Sequence, residues 1–140
     1  MVSGSVASVL SMATAALLAR PRTGSAASPA NAPSQWLWGE PARHRHDVTL
    51  RHTLLGYAIH HASSVFWAVT HETAIDRYRA RALQVAPVVA ATAMAVDYRV
   101  VPKRLRPGFE RHLSRGGLVM VYAAFATGLA IGSRLARRLR

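Results

Sequence analysis

Cysteine, acidic residues and lysine are scarce in this 140-residue chain. It has no cysteine, which excludes disulfides, thiolate zinc sites, iron–sulfur clusters and cysteine nucleophiles. Asp and Glu number 6 against 18 Lys and Arg, and Lys103 is the one lysine. The formal net charge of +12 favours an anionic partner, either nucleic acid or a membrane surface.

Recognisable catalytic motifs are also missing from the sequence. It contains no GxSxG, no HExxH, no P-loop and no glycine-rich dinucleotide fingerprint. His71 and Glu72 do not begin a metalloprotease motif, because position 75 is isoleucine. We therefore expect a non-enzymatic protein without a bound metal or cofactor, and its biochemical activity stays open.

The basic residues crowd the stretches between four apolar segments. Charge placed in this way is typical of membrane loops, whereas a nucleic-acid module would carry basic side chains along one packed face. The apolar segments span residues 2–19, 53–70, 82–101 and 116–132, each near the length needed to cross a bilayer. The sequence thus predicts an all-α fold, a transmembrane four-helix bundle in a single membrane domain, with lipid rather than nucleic acid as its partner. Three spans with an interfacial first helix are the alternative.

Small residues recur every four positions on two of these segments. On the first they are Ser3, Ala7, Ser11, Ala15 and Ala19. On the fourth, Gly128 and Gly132 complete a GxxxG motif, which lets a neighbouring backbone approach closely. We expect both segments to pack through these faces, and Gly128 and Gly132 also offer a surface for a homo-oligomer. Ser114 is the expected N-cap of the fourth helix.

The first loop, residues 23–51, is rich in Gly, Ser, Pro and Arg. Trp36 and Trp38 flank a leucine within it, and tryptophan prefers the headgroup level of a bilayer. We therefore expect an ordered interfacial cap. No basic residue precedes Arg20, so the first segment is expected to be a mature helix rather than a signal peptide. The bacterial inner membrane is the expected location.

Orientation in the membrane is not decided by the charges. Counted with the flanking Arg20, Arg22 and Arg99, the first and third loops together hold eleven Lys and Arg, and the second loop and the tail hold seven. This bias favours a cytoplasmic position for the first and third loops, whereas the arginine-rich tail favours the reverse.

A polar stripe on the second helix is the leading candidate site. At 100° per residue, one face collects Gly56, His60, Ser64, Trp67 and His71, and His61 lies about 100° away. Polar groups at membrane depth are costly unless paired or used, so this face should point into the bundle. Asp97, near the end of the third helix, is the depth-matched partner of His60. Arg51 and Arg99 compete for its carboxylate, and an ion pair with one of them is favoured over a proton relay.

Three uses of this site remain open beside simple helix packing. Proton-coupled or small-solute transport would need only His60, Asp97 and a polar path. A haem- or cofactor-binding dimer would need a second copy, because the other helices contain no histidine. A metal site lacks ligands, since His60 and His71 lie about 16 Å apart along one helix.

The third loop combines prolines with a dense run of basic residues. Its candidate contacts to anionic lipids are Lys103, Arg104, Arg106 and Arg111. Each such charge contributes about 1 kcal/mol near an anionic leaflet. The same charges also anchor the topology.

Two further stretches support a resemblance. The first runs from Asn31 to Gly39 and is followed by Thr53-x-x-Gly56-x-x-x-His60 and Phe66-Trp67. The second runs from Asp97 to Leu105 and continues with Gly108 to Glu110. The chain resembles small bacterial membrane proteins of about this length. That resemblance implies a four-helix integral membrane protein and lends no reaction and no site residues.

Overall fold

A computed structural model describes residues 2–139, which are mostly helical and contain no strand. The prediction of an all-α protein is confirmed. The α-helices are α1 (Val2–Thr23), α2 (Ser28–Asn31), α3 (Gln35–Trp38), α4 (Leu55–Tyr78), α5 (Ala82–Ala95) and α6 (Arg115–Arg138). One π-helical turn, Leu50–Leu54, leads into α4, and a second, Val96–Val100, extends α5. Single 3-10 turns at Ala32–Ser34, Glu40–His44, Lys103–Leu105 and Phe109–Arg111 shape the loops.

The closest helix pair is α1 with α6, and small residues make it possible. The two helices are antiparallel: Gly128 and Gly132 lie directly on the backbone of Ala7 and Ser3, while Leu18 reaches Gly117 at the other end. A Cβ atom at Gly128 would lie 2.8 Å from the backbone nitrogen of Ala7, inside normal contact distance. The glycines proposed for a homo-oligomer are therefore covered by α1 of the same chain.

The remaining long helices complete the packing around this pair. α4 packs on α1, α5 packs on α6, and α4 and α5 pack on each other. Their shared core contains Ala68, Val89, Phe125 and Leu129, all buried. Within residues 2–139, α1 and α6 are the two helices long and apolar enough to cross a membrane, which favours membrane association.

Three of the long helices extend beyond their expected ends. α1 runs to Thr23 through Pro21, which lacks a backbone N–H and so removes one hydrogen-bond donor from the helix. The Thr23 hydroxyl stabilises the last turn, because it donates to the Ala19 carbonyl at 3.0 Å. α4 continues past Glu72 because Ile75 is still buried against neighbours, and α6 continues through the buried Ser133 to Arg138. The expected N-cap is confirmed: the Ser114 side chain accepts from the Gly117 amide at 3.1 Å.

The first loop is folded onto the start of α4 as a set of short helical turns, and we call residues 24–54 the cap. Asn31 is fully buried and ties the cap together: its amide donates to the carbonyls of Arg45 (3.0 Å) and Asp47 (2.9 Å). Its oxygen accepts from the Thr53 hydroxyl at 2.6 Å. Every polar group of this buried side chain is thus used, which fixes the path of the loop.

The cap and the third loop meet at the same end of the molecule. Gln35 is buried and donates to the carbonyl of Arg106 at 2.6 Å. Gly108 has a φ of 83° and lies so close to Ala32 that an added Cβ would be 2.9 Å from that methyl. A side chain at Gly108 would be strained in conformation and would also force the two loops apart.

Candidate functional site

His60 is held by the middle of α1. Its Nε2 atom lies 3.0 Å from the Ser11 hydroxyl and 3.3 Å from the Ser8 carbonyl oxygen. Because a carbonyl only accepts, Nε2 carries a proton and donates it, and Nδ1 is left as an acceptor. Among residues 2–139, Nδ1 has no hydrogen-bond partner. The Phe109 ring packs edge-on against this imidazole, with the centroids 5.7 Å apart.

Asp97 lies on the π-helical turn after α5 and does not contact His60 directly. Its carboxylate accepts a hydrogen bond from the Tyr122 hydroxyl at 2.6 Å. Neither Arg51 nor Arg99 forms an ion pair with it among the described residues, so the expected ion pair is wrong. Arg51 instead stacks over the Trp38 ring at 4.1 Å. The difference arises from tertiary contacts, because Tyr122 of α6 occupies the carboxylate of Asp97 while the Trp38 ring holds Arg51.

A cavity of about 60 Å³ joins these two side chains. Four of the five residues predicted for the polar site line it: His60, Ser64, Trp67 and Asp97. Helices α1, α4 and α6 form its walls, and Pro33 and Trp36 from the cap and Pro107 and Phe109 from the third loop also line it. Ser64 donates to the His60 carbonyl at 2.8 Å, so its hydroxyl is occupied within α4. The cavity therefore lies where the helices meet both loops.

His71, the fifth predicted residue, lies at the opposite end of the molecule. It is fully buried, and its Nε2 atom contacts the Ala82 carbonyl at 3.2 Å. Its Nδ1 atom is 3.6 Å from the Glu72 carboxylate, which accepts from the Ser133 hydroxyl at 3.1 Å. His71 thus joins the turn between α4 and α5 to the rest of α4 and does not reach the cavity.

The four basic residues predicted as lipid contacts gather around a second, open groove of about 790 Å³. They are Lys103, Arg104, Arg106 and Arg111. Trp38 and Arg43 of the cap line the same groove. Arg43 is buried and donates to Glu110 at 2.9 Å, so it joins cap and third loop rather than facing solvent. The groove is therefore lined by more basic than acidic side chains, next to the exposed Trp38.

His112 is the titratable group in the loops with the clearest electrostatic signature. Its pKa is lowered to about 4, mainly by burial; a hydrogen bond to the Arg43 backbone raises the pKa, and charge interactions with His46, His44 and Arg43 lower it. The His46 ring packs edge-on at 5.7 Å. A neutral imidazole is therefore built into the contact between cap and third loop.

Sequence reasoning missed Asn31 and Gln35, the buried amides that hold the cap. Both occur in a proline-containing loop, where periodicity carries no signal for burial. Their one sequence hint is that each amide stands next to apolar or small residues rather than charged ones.

The described residues provide no ready metal centre. Within residues 2–139, no three His, Asp or Glu side chains come together in a way that could hold a metal ion. The residues around the cavity could instead make hydrogen bonds and ring contacts to a small molecule. Comparison with protein-family models, with curated proteins and with solved structures gives no match to this chain.

Proposed function

We propose that the chain is a multi-pass integral protein of the bacterial inner membrane. In this proposal its four long helices form a transmembrane bundle that binds a small solute in the internal cavity and catalyses no reaction. The apolar lengths of α1 and α6 support the membrane location. So do large apolar side chains exposed on outward faces, among them Leu17, Phe66, Val88 and Val119.

The depth of the cavity supports a functional use. His60 contacts Ser11, the tenth residue of the 22-residue α1. At 1.5 Å per residue, that level is about 14 Å from the start of a helix about 33 Å long, so the site lies inside the span of α1, where the cap and the third loop reach the helices. Ionisable side chains at such depth are rare and belong to binding sites or pathways.

The cavity itself is the observation that carries the proposal. Side chains used only for helix packing would fill the space between the helices, whereas His60 and Asp97 border an unfilled cavity of about 60 Å³. A water molecule needs about 10–15 Å³ by this measure, so the cavity has room for four or five water-sized groups. A small solute fits that room.

Proton-coupled handling of that solute is a second candidate, and one observation favours it. His60 donates its Nε2 proton to α1, while the Nδ1 atom of His60 has no hydrogen-bond partner among the described residues. Such an imidazole can accept a proton. A flux that is lost in His60→Gln, with the fold retained, would separate coupled movement from simple binding.

The basic groove supplies the proposed contact with the bilayer surface. Lys103, Arg104, Arg106 and Arg111 line it beside Trp38. Positive side chains next to an interfacial aromatic match the headgroup region of an anionic leaflet. We expect charge-neutral variants of Lys103 and Arg104 to weaken association with anionic lipids without unfolding the protein.

Absence of cysteine makes a matched accessibility test possible. Ser63 lines the cavity, and its neighbour Ala62 is exposed on the outside of α4. In membranes, Ser63→Cys should react with methyl methanethiosulfonate, because water reaches the cavity. Ala62→Cys should stay unreactive until the protein is denatured, because a thiol in lipid does not ionise.

Either of two outcomes would contradict the proposal. Rapid labelling of Ala62→Cys in intact membranes would show that the outer face of α4 is in water. An unreactive Ser63→Cys in folded protein would show that the cavity is closed to small molecules and that its side chains serve packing.

A further inference from the structure

We propose that the cavity binds a small organic cation, with the size and chemistry of tetramethylammonium. This inference rests on the proposed solute site and names the class of ligand that the site takes. Three features of the cavity support it: its aromatic walls, its charge and its volume.

The walls are unusually aromatic. Trp36, Trp67, Phe109, Tyr122 and Phe125 all line the cavity. They are half of the ten aromatic residues of the chain, brought from the cap, α4, the third loop and α6. Aromatic faces attract alkylated ammonium groups through the ring quadrupole, and several rings around one space form the usual site for a quaternary ammonium.

The charge has the sign that a cation requires. Asp97 is the one acidic residue among the described residues that line the cavity, and none of those residues is Lys or Arg. In a chain with a net charge of +12, this is a local reversal of sign. The Tyr122 hydroxyl donates to the carboxylate at 2.6 Å and holds it in place without neutralising it.

A carboxylate in this position lacks a countercharge from the protein. No Lys or Arg nitrogen lies within 4 Å of Asp97 among the described residues. The aromatic side chains around the cavity solvate an ion much less well than water does. A bound cation would supply the missing charge and make its ring contacts in the same step. An anion would meet the carboxylate and no Lys or Arg in the lining, so it is disfavoured.

The volume limits the cation to a small one. Room for four or five water-sized groups matches the five heavy atoms of tetramethylammonium. A neutral molecule of the same shape, tert-butanol, is the natural comparison because it fills the space without the charge.

The test measures binding of both probes to the full chain in detergent micelles. Trp38→Phe removes the tryptophan outside the cavity, so that Trp36 and Trp67 report binding by fluorescence. We expect tetramethylammonium to bind at least about 10-fold more tightly than tert-butanol. Asp97→Asn should weaken tetramethylammonium binding by about 10-fold, equivalent to about 1.4 kcal/mol, and tert-butanol binding by less than about 2-fold.

Two variants keep the result interpretable. Asp76→Asn removes an exposed carboxylate at the opposite end and should leave both affinities unchanged. Trp67→Leu removes a ring but keeps an apolar wall, and should weaken the cation more than the alcohol; it tests the inference even if Asp97→Asn does not fold.

The possible failures are distinguishable. Equal binding of both probes, or an Asp97→Asn variant that binds tetramethylammonium as the parent does, would overturn the cation site and leave the solute cavity in place. Failure of both probes to bind a folded protein would overturn the solute cavity as well.

Discussion

The contact between α1 and α6 makes a quantitative prediction for Gly128→Ala. The added methyl would lie 2.8 Å from the backbone nitrogen of Ala7 and closer still to its Cα atom. Ordinary contact for a Cβ atom begins near 3.4 Å, so the helices must separate by at least about 0.6 Å. A gap of that size forfeits about a quarter of the dispersion energy of each affected contact, and overpacking of this kind typically costs about 1–3 kcal/mol.

Equilibrium unfolding in mixed micelles, followed by circular dichroism, measures this cost. Gly116→Ala is the matched control, because an added Cβ there approaches nothing closer than the Ser114 hydroxyl at 4.0 Å. It should be neutral or stabilising by up to about 1 kcal/mol through helix propensity. Ala7→Gly should not rescue Gly128→Ala, since the obstructing atoms belong to the backbone. A Gly128→Ala protein as stable as Gly116→Ala would refute this packing.

Three further predictions concern the loops and the helix start. Ser114→Ala should destabilise the protein by about 0.5–2 kcal/mol in the same assay, whereas Ser114→Thr keeps the cap; equal losses would contradict the N-cap role. Asn31→Ala should leave the carbonyls of Arg45 and Asp47 without their donor and expose the cap to limited proteolysis; an unchanged cleavage rate would contradict its role. His112 has a folded pKa of about 4 against about 6.5 when unfolded, so stability present above pH 6.5 should fall as the pH drops toward 4. His112→Gln should flatten that loss, and a steep loss that persists would exclude His112 as its source.

Helix formation and the small-residue faces could be predicted from the sequence because each depends on local pattern. The face with Ser3 and Ala7 and the GxxxG pair at Gly128 indicated close packing, and the structure places these faces against each other. The helix ends were less predictable. Charged residues predict a helix end after Thr70, although Ile75 beyond Glu72 is still buried by tertiary contact.

In the site, too, local sequence patterns predicted some of the grouped residues, whereas the long-range contacts depend on the tertiary fold. Helical spacing grouped His60, Ser64 and Trp67, and these residues line one cavity. The spacing could not show that His71 turns to the Ala82 carbonyl or that Tyr122 holds Asp97, because both contacts depend on where other helices lie. Phe109 and Trp36 reach the cavity through loops whose path is set by buried amides, and no periodic pattern encodes that path.

Sided labelling tests the central claim, a chain that crosses the membrane four times. Single cysteines replace exposed residues at each end: Val48 in the cap, Leu105 in the third loop, Tyr78 after α4 and Leu139 after α6. A membrane-impermeant maleimide is applied to right-side-out and to inverted vesicles. The account predicts that positions 48 and 105 label from one side and positions 78 and 139 from the other. Labelling of positions 48 and 78 from the same side would contradict it.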